Sequence, residues 1–416
     1  MFLQKMEIGY INFSNEEKNN LYKVIQSIRD HHAIDELGIG RIRDAFSNEM
    51  FPGMSTLQNR AKYFAVLPAL YYQAEKGRYN NVREVRQRVL DLEIKLTRQL
   101  MNGAKTSEER YGITGSTLIE QAERDRSKYV KYDPTYIYWG GLVTYNMVRT
   151  DGNIYQLIYE RSRHSQESPE RLRKTSPEEY DGDAEGYIGR SQLFNTGGLS
   201  YVFDGRTPIP VKLNKTEAEF IYSCIAESER SRNSLLAYIL NHPDVPVLDD
   251  YLELGTVWNE LPSELRRVYV LSARFSKFTY LLRIFYNYLY VKKTQGEEFA
   301  RPFMDDYLYF LNDNRNELML DKIMEVLAYV EESVTDVPVK QFVARSAQYV
   351  NQGRLDLLEE CIVKREKETK GATRAKFTNW RKYVGKPHVG AFFLDYRWGL
   401  VHSMINEIRE GMRYGH

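Results

Sequence analysis

Residues 78–100 read Arg-Tyr-Asn-Asn-Val-Arg-Glu-Val-Arg-Gln-Arg-Val-Leu-Asp-Leu-Glu-Ile-Lys-Leu-Thr-Arg-Gln-Leu. Val82, Val85, Val89, Leu92, Leu96 and Leu100 recur at intervals of three or four, which lays one apolar stripe along a helix. Arginines 78, 83, 86, 88 and 98 clothe the remaining surface, and Glu84–Arg88 and Asp91–Lys95 are i,i+4 pairs of opposite charge. The same periodicity continues on both sides. It predicts a mainly α chain, an irregular assembly of many helices in two halves with a few short strands.

Upstream, residues 7–13 alternate like a short strand, and Ser14-x-x-Glu17 is a capping box for a helix to about Arg29. Asp35 is placed to cap a helix carrying Ile39, Ile42, Phe46 and Met50 on one face, and Phe51-Pro52-Gly53 breaks it. Ser55-x-x-Gln58 predicts the next start, with Leu57, Ala61 and Phe64 inward and Pro68 kinking or ending that helix. Asp133-Pro134-Thr135 opens an aromatic helix in the stretch 129–149, read as core, with a base-stacking platform as the alternative. Gly140-Gly141 thin that helix for close packing.

Residues 160–186 are charge-dense and poor in apolar residues, and read as a linker or surface loop. The expected organisation is therefore 1–158 helical, 159–186 linker, 187–416 helical. Within the last part Tyr201-Val202-Phe203 is a possible strand and Thr216-x-x-Glu219 a third capping box. Helices are expected at about 216–230, 232–241, 249–255, 263–292, 301–312, 315–332, 338–350, 354–368 and 396–412. No repeat period is visible, so a solenoid is not supported.

The chain has 58 Lys+Arg against 57 Asp+Glu, a net charge of +1, so any nucleic-acid contact must come from local patches. Two cysteines far apart, Cys224 and Cys361, read as buried thiols in a reducing compartment. Seven histidines never fall at ligand spacing with cysteine, and no metal or cofactor is expected. Residues 1–13 lack the pattern of a signal peptide, and no stretch of 18 uncharged apolar residues occurs, so a cytoplasmic chain with no membrane partner is expected. The 32 tyrosines suit cores with polar margins.

Three constellations carry candidate chemistry. Between Lys364 and Lys386 lie nine cations and two carboxylates, a net charge of +7, with Trp380 and Tyr383 interleaved. Guanidinium forks and ammonium groups fit phosphate oxygens, and aromatic rings fit bases. Arg365, Lys370, Arg374, Lys376, Arg381 and Lys382 are the candidate contacts. Arg41, Arg43 and Arg60 form a second basic group flanking a break loosely like a helix-turn-helix, although Ser47–Met54 exceeds the usual turn length. Those arginines are equally placed to pair with Asp35, Glu36, Asp44 and Glu49. The third constellation, Arg397-x4-His402, resembles the motif of helical HEPN ribonucleases, where Arg and His act on the RNA 2′-hydroxyl. A residue such as His402 suits acid–base work near neutral pH. Here Trp398 follows the arginine, whereas that motif favours a polar residue.

Other matches carry less. Asp91-x-Glu93-x-Lys95 has nuclease spacing but lies mid-helix, and Gly38-x-Gly40 lacks a following Gly-Lys-Ser/Thr. No nucleophile elbow of the Gly-x-Ser-x-Gly type occurs.

Ile8–Ser14, Asp35–Phe46, Phe51–Phe64, Ile137–Leu142, Arg365–Gly371, Arg374, Asn379 and Leu394–Trp398 resemble an uncharacterised bacterial family, a domain of unknown function. The resemblance implies no reaction. It implies a place beside helicases and phospholipase-D-like nucleases in phage-defence islands. On that basis the expected role is a non-catalytic nucleic-acid-binding accessory or adaptor subunit of an antiphage system, with DNA ahead of RNA and a helicase or nuclease as partner. The alternatives are a ribonuclease using Arg397 and His402, and a purely structural protein–protein adaptor.

Overall fold

The helix expected at 78–100 is present at Val82–Gly103, with Asn81 as its cap, accepting from the Glu84 amide at 3.1 Å. Val85, Val89, Leu92, Leu96 and Leu100 are all buried, as the stripe requires. The computed structural model describes residues 35–150, 152–164, 193–258, 260–388 and 390–414. Among these are fifteen α-helices and no sheet, so the mainly α expectation holds. The short strands reduce to one isolated antiparallel bridge, Val148–Phe194, and 201–203 forms none. The strand expected at 7–13 and the helix expected from Ser14 lie outside the described residues.

Two compact units are formed, and each draws on both ends of the described chain. One contains residues 35–46 with Asp249–Gly399; the other contains Ser47–Leu248 with residues 400–414. The boundaries therefore differ from the 1–158, 159–186, 187–416 division read from composition. Pairings between distant segments, which composition does not register, set them. The start of the expected linker is also different: Ile154–His164 is a helix. Ile154 and Ile158 are buried, and Arg161 pairs with Glu75 at 2.8 Å, so the helix continues into the charged stretch.

In the second unit, the helix Lys62–Glu75 runs through Pro68 instead of ending there. Every residue from Lys62 to Tyr71 is buried, and that packing offsets the missing proline hydrogen bond. Ser55 and Gln58 do not open this helix. Gln58 instead accepts from the Ser55 amide at 3.0 Å and donates to the Gly53 and Ile137 carbonyls, pinning a turn. The helix Pro134–Thr144 begins as expected, with Asp133 accepting from the Tyr136 amide. A side chain at Gly141 would collide with the Phe64 ring and the Gly53 carbonyl, which confirms close packing there; Gly140 faces open space. Of the aromatics, Tyr129, Tyr138 and Tyr145 are core, while Tyr132 and Tyr136 are exposed and stack on each other at 4.9 Å.

The third capping box is real but shifted. Asn214 and Glu217 form it, opening the helix Lys215–Glu227. Glu217 also takes two bonds from the Lys62 ammonium, at 2.6 and 2.7 Å, and one from the Tyr201 hydroxyl at 2.6 Å. Lys62 and Glu217 are each 2% exposed. This buried ion pair selects Glu217 over Glu219 as the box residue.

Glu93 is fully buried on the inner face of Val82–Gly103. Its Oε1 accepts from the Thr135 amide and hydroxyl, both at 2.7 Å, while its Oε2 has no hydrogen-bond partner. Burial holds this carboxyl well above the usual carboxylate range. Below the ordinary value, folded and unfolded chains both carry the proton and its contribution to stability is complete. As pH rises the unfolded chain releases the proton first, so stability falls with pH up through the folded value. Glu93→Gln is expected to flatten that slope and to raise stability at neutral pH by about 1 kcal/mol or more. Urea unfolding at several pH values measures it; an unchanged slope would refute the assignment.

In the first unit, the 32-residue helix Ser263–Thr294 is packed by the helices Glu297–Asp313 and Leu320–Tyr329. Val337–Gln352 and Leu355–Lys370 form a helical hairpin through a left-handed Gly353. Phe46 stacks on Tyr329 at 5.9 Å and meets Tyr396 edge-on. Trp398 meets Trp258 edge-on at 5.5 Å. Tyrosines keep their hydroxyls satisfied inside this core: Tyr396 donates to the Ser272 carbonyl and Tyr251 shares a bond with the Ser272 hydroxyl.

Candidate nucleic-acid interface

The basic run 364–386 spans two environments. Leu355–Lys370 is helical, and Gly371, at a φ of 75°, ends it. Leu358, Ile362, Arg365 and Glu366 lie on its buried face. Arg365 is 8% exposed and donates to the Leu37 carbonyl at 2.8 Å and the Gly38 carbonyl at 3.1 Å. Lys370 is buried against Glu36, and Lys376 reaches the same carboxylate at 2.9 Å. Burial lowers both ammonium groups, Lys370 to about 8. Glu366, fully buried, accepts from the Tyr286 hydroxyl at 2.6 Å and the Phe377 amide at 3.0 Å. Arg365, Lys370 and Lys376 are therefore internal fasteners, a correction to their expected role as surface contacts. The desolvation of a charge is offset only by bonds of this kind.

The remaining cations face outward. Arg374, Arg381, Lys382 and Lys386 are exposed, and no described carboxylate pairs with them. Arg374 donates only to the Lys370 carbonyl, at 3.2 Å. Trp380 and Tyr383 sit in a single 3-10 turn, Trp380–Tyr383, and are partly exposed. Lys293 and Arg381 lie 5.9 and 5.6 Å from the Trp380 ring centre, and Lys386 lies 5.3 Å from that of Tyr383. Sequence reading missed Lys293. Its position in the last turn of Ser263–Thr294 was the available signal.

The N-terminal arginines do not form a groove-reading element. Arg41 pairs with Asp336 at 3.1 Å, and Arg43 pairs with Asp44 at 3.0 Å. Arg60 binds Glu407 at 2.7 Å and donates to the carbonyls of Tyr111, Glu108 and Glu109. Its side chain is used to close a turn, so it is unavailable as a recognition group. The helices Gly40–Met50 and Lys62–Glu75 are also separated by more residues than a helix-turn-helix allows.

Arg397 and His402 were expected on one helix. That helix begins at Trp398, and Arg397 precedes it in a left-handed conformation with a φ of 68°. Its guanidinium contacts Asp44 at 3.4 Å. The His402 Nε2 lies 3.1 Å from the Asn406 Nδ2 within the helix. Asp91-x-Glu93-x-Lys95 is helical as expected, with Asp91 paired to Arg126 and Glu93 in the core.

Of the two thiols Cys224 is buried, which pushes it up to about 12, while Cys361 is only half-buried. Among the described residues no three His, Cys, Asp or Glu side chains cluster as metal ligands, and no helix is long and apolar enough to cross a membrane.

Residues 6–163 match the model of a family of unknown function, DUF6361. The match covers a little over a third of the chain, so this part is similar to an uncharacterised domain. No curated protein and no solved structure matches the chain at a significant level.

Proposed function

We propose that the chain is a non-catalytic nucleic-acid-binding accessory subunit whose contact surface is the exposed part of the basic run. Arg374, Arg381, Lys382 and Lys386, with Lys293, hold the phosphate backbone, and Trp380 and Tyr383 offer ring faces to unpaired bases. The observation behind this reading is that four cations within thirteen residues are exposed, with no described carboxylate pairing with them, in a chain of net charge +1. The setting is the bacterial cytoplasm and an antiphage system with a helicase or nuclease partner, as the family resemblance implies. DNA remains the preferred target.

Such a surface binds without sequence preference, and its affinity falls with salt. Titrating single- and double-stranded DNA and RNA against the full chain across a salt series is expected to show a log–log slope of about −3 to −4 for four to five phosphate contacts. Changing Arg374, Arg381, Lys382 and Lys386 together to alanine is expected to remove most of that slope and of the affinity. The same changes at Arg41 and Arg43 are expected to leave binding within about twofold. Absence of binding at low salt, or binding indifferent to the four substitutions, refutes the reading. RNA cleavage lost in His402→Ala would make the chain a ribonuclease instead.

A further inference from the structure

The aromatic stretch 129–149 leaves two rings outside the core of the second unit. Tyr129, Tyr138 and Tyr145 are buried, whereas Tyr132 is 42% and Tyr136 63% exposed. The two rings stack on each other at 4.9 Å and 26°. Tyr132 takes one face of Tyr136; at 63% exposure the other face is open to water. The backbone under the pair is held firmly. Asp133, between the two tyrosines, caps the helix Pro134–Thr144 by accepting from the Tyr136 amide at 2.7 Å, and Pro134 and Thr135 are buried.

Cations stand beside these rings without a matching charge. The Lys131 ammonium lies 5.2 Å from the Tyr132 ring centre. Lys128 ends the 3-10 turn Arg126–Lys128, four residues before Tyr132 and so at most about 14 Å away along the chain. Both lysines are exposed, and neither forms an ion pair with a described carboxylate. The carboxylates of this surface are already engaged. Asp133 holds the Tyr136 amide and stands beside Arg86. Asp125 accepts from the Ser127 amide at 3.0 Å and hydroxyl at 2.7 Å, and feels the Lys128 charge without pairing with it. Glu123 binds Arg98 at 2.6 Å with Glu120 beside them, and Asp91 takes Arg126.

We infer that the stacked pair Tyr132–Tyr136 is a second contact site for single-stranded nucleic acid, with an unpaired base on the open face of Tyr136 and the neighbouring phosphates against Lys131 and Lys128. A nucleotide supplies a flat ring and a negative charge in one repeating unit, which is the combination this surface leaves unmatched. A duplex keeps its ring faces closed and offers the pair nothing to stack on. Ring face and phosphate charge are common to DNA and RNA, so both bind. The site lies wholly in the second unit and uses none of the cations of the exposed strip, so it does not rest on that reading.

The test uses the full chain with Arg374, Arg381, Lys382 and Lys386 all changed to alanine, so that the strip does not mask the weaker site. The probe is an oligothymidylate carrying one 2-aminopurine, whose fluorescence falls when its base stacks on a ring. At low salt this background is expected to bind the single strand and quench it. Adding Tyr136→Ala is expected to weaken single-strand binding about fivefold or more and to leave duplex binding within about twofold, whereas Tyr136→Phe keeps the ring and stays within about twofold on both. Lys128→Ala with Lys131→Ala is expected to reduce the log–log salt slope by about 1.4, two phosphate contacts on a single strand. Position 136 is on the surface, and an unchanged melting midpoint shows that its variants fold. If wild-type binding ignores the four strip substitutions but falls in Tyr136→Ala, the strip reading fails and this one stands. No single-strand binding by the background, or equal affinity in Tyr136→Ala and Tyr136→Phe, overturns the site. Dimerisation that Tyr136→Ala removes, with no oligonucleotide bound, would give the surface to a second copy of the chain and overturn it as well.

Discussion

Lys62→Met is expected to lower the stability of the second unit by about 3–5 kcal/mol, the cost of leaving a buried carboxylate without its partner. Glu217 is 2% exposed and takes four hydrogen bonds in all, two of them from Lys62. Methionine fills similar space but donates nothing, so the charge on Glu217 has no nearby counterion. The diagnostic comparison is Lys62→Met with Glu217→Gln. Glutamine removes the charge and keeps an oxygen for the Asn214 amide, while its NH2, in the place of Oε1, donates to a Tyr201 hydroxyl turned to accept. The double variant should therefore be more stable than Lys62→Met alone. Denaturant midpoints measure this; a double variant less stable than the single one would show that the hydrogen bonds, and not the charge, dominate. The ammonium is itself held below its usual range, chiefly by burial.

Trp398→Ala should destabilise the first unit by a similar amount, about 3–5 kcal/mol, through the cavity left in a fully buried aromatic cluster. Arg397→Ala, one residue earlier, is expected to cost less than Trp398→Ala, because it leaves no comparable cavity in the core. Its partner Asp44 is 41% exposed and keeps Arg43. The contrast bears on the Tyr396-Arg397-Trp398 sequence. Tyr396 and Arg397 both adopt left-handed backbone, at φ values of 54° and 68°, which non-glycine residues rarely do. The bend seats Tyr396 and Trp398 in the core while leaving the guanidinium at its margin. Equal losses of stability in the two variants would contradict that division.

Helix positions were legible because period and burial coincide along most of the chain: Ser263–Thr294 and Val337–Gln352 begin and end within two residues of the expected limits. Pro68 does not end its helix, because packing of the buried stretch from Lys62 to Tyr71 overrules local propensity. Capping at 214 instead of 216 could not be read locally, since Asn and Thr are both good caps; the choice rests on Lys62, which holds Glu217 across 155 residues. In the basic run, charge was legible and burial was not. Even so, Leu358, Ile362 and Arg365 continue one apolar spacing of four and three, and that pattern places Arg365 inward. The unit boundaries had no local signal, because they depend on pairings such as Arg60 with Glu407.

Arg365, Lys370 and Lys376 fasten residues 36–38 across a sequence separation of more than 300 residues. During synthesis the carbonyls of Leu37 and Gly38 and the carboxylate of Glu36 leave the ribosome long before their donors exist. The first unit can therefore close only once residues 365–376 have been made, after the second unit's 47–248 segment has emerged. Until then the nascent chain carries an incomplete first unit, with Ile39, Ile42 and Phe46 lacking the partners that bury them in the finished fold.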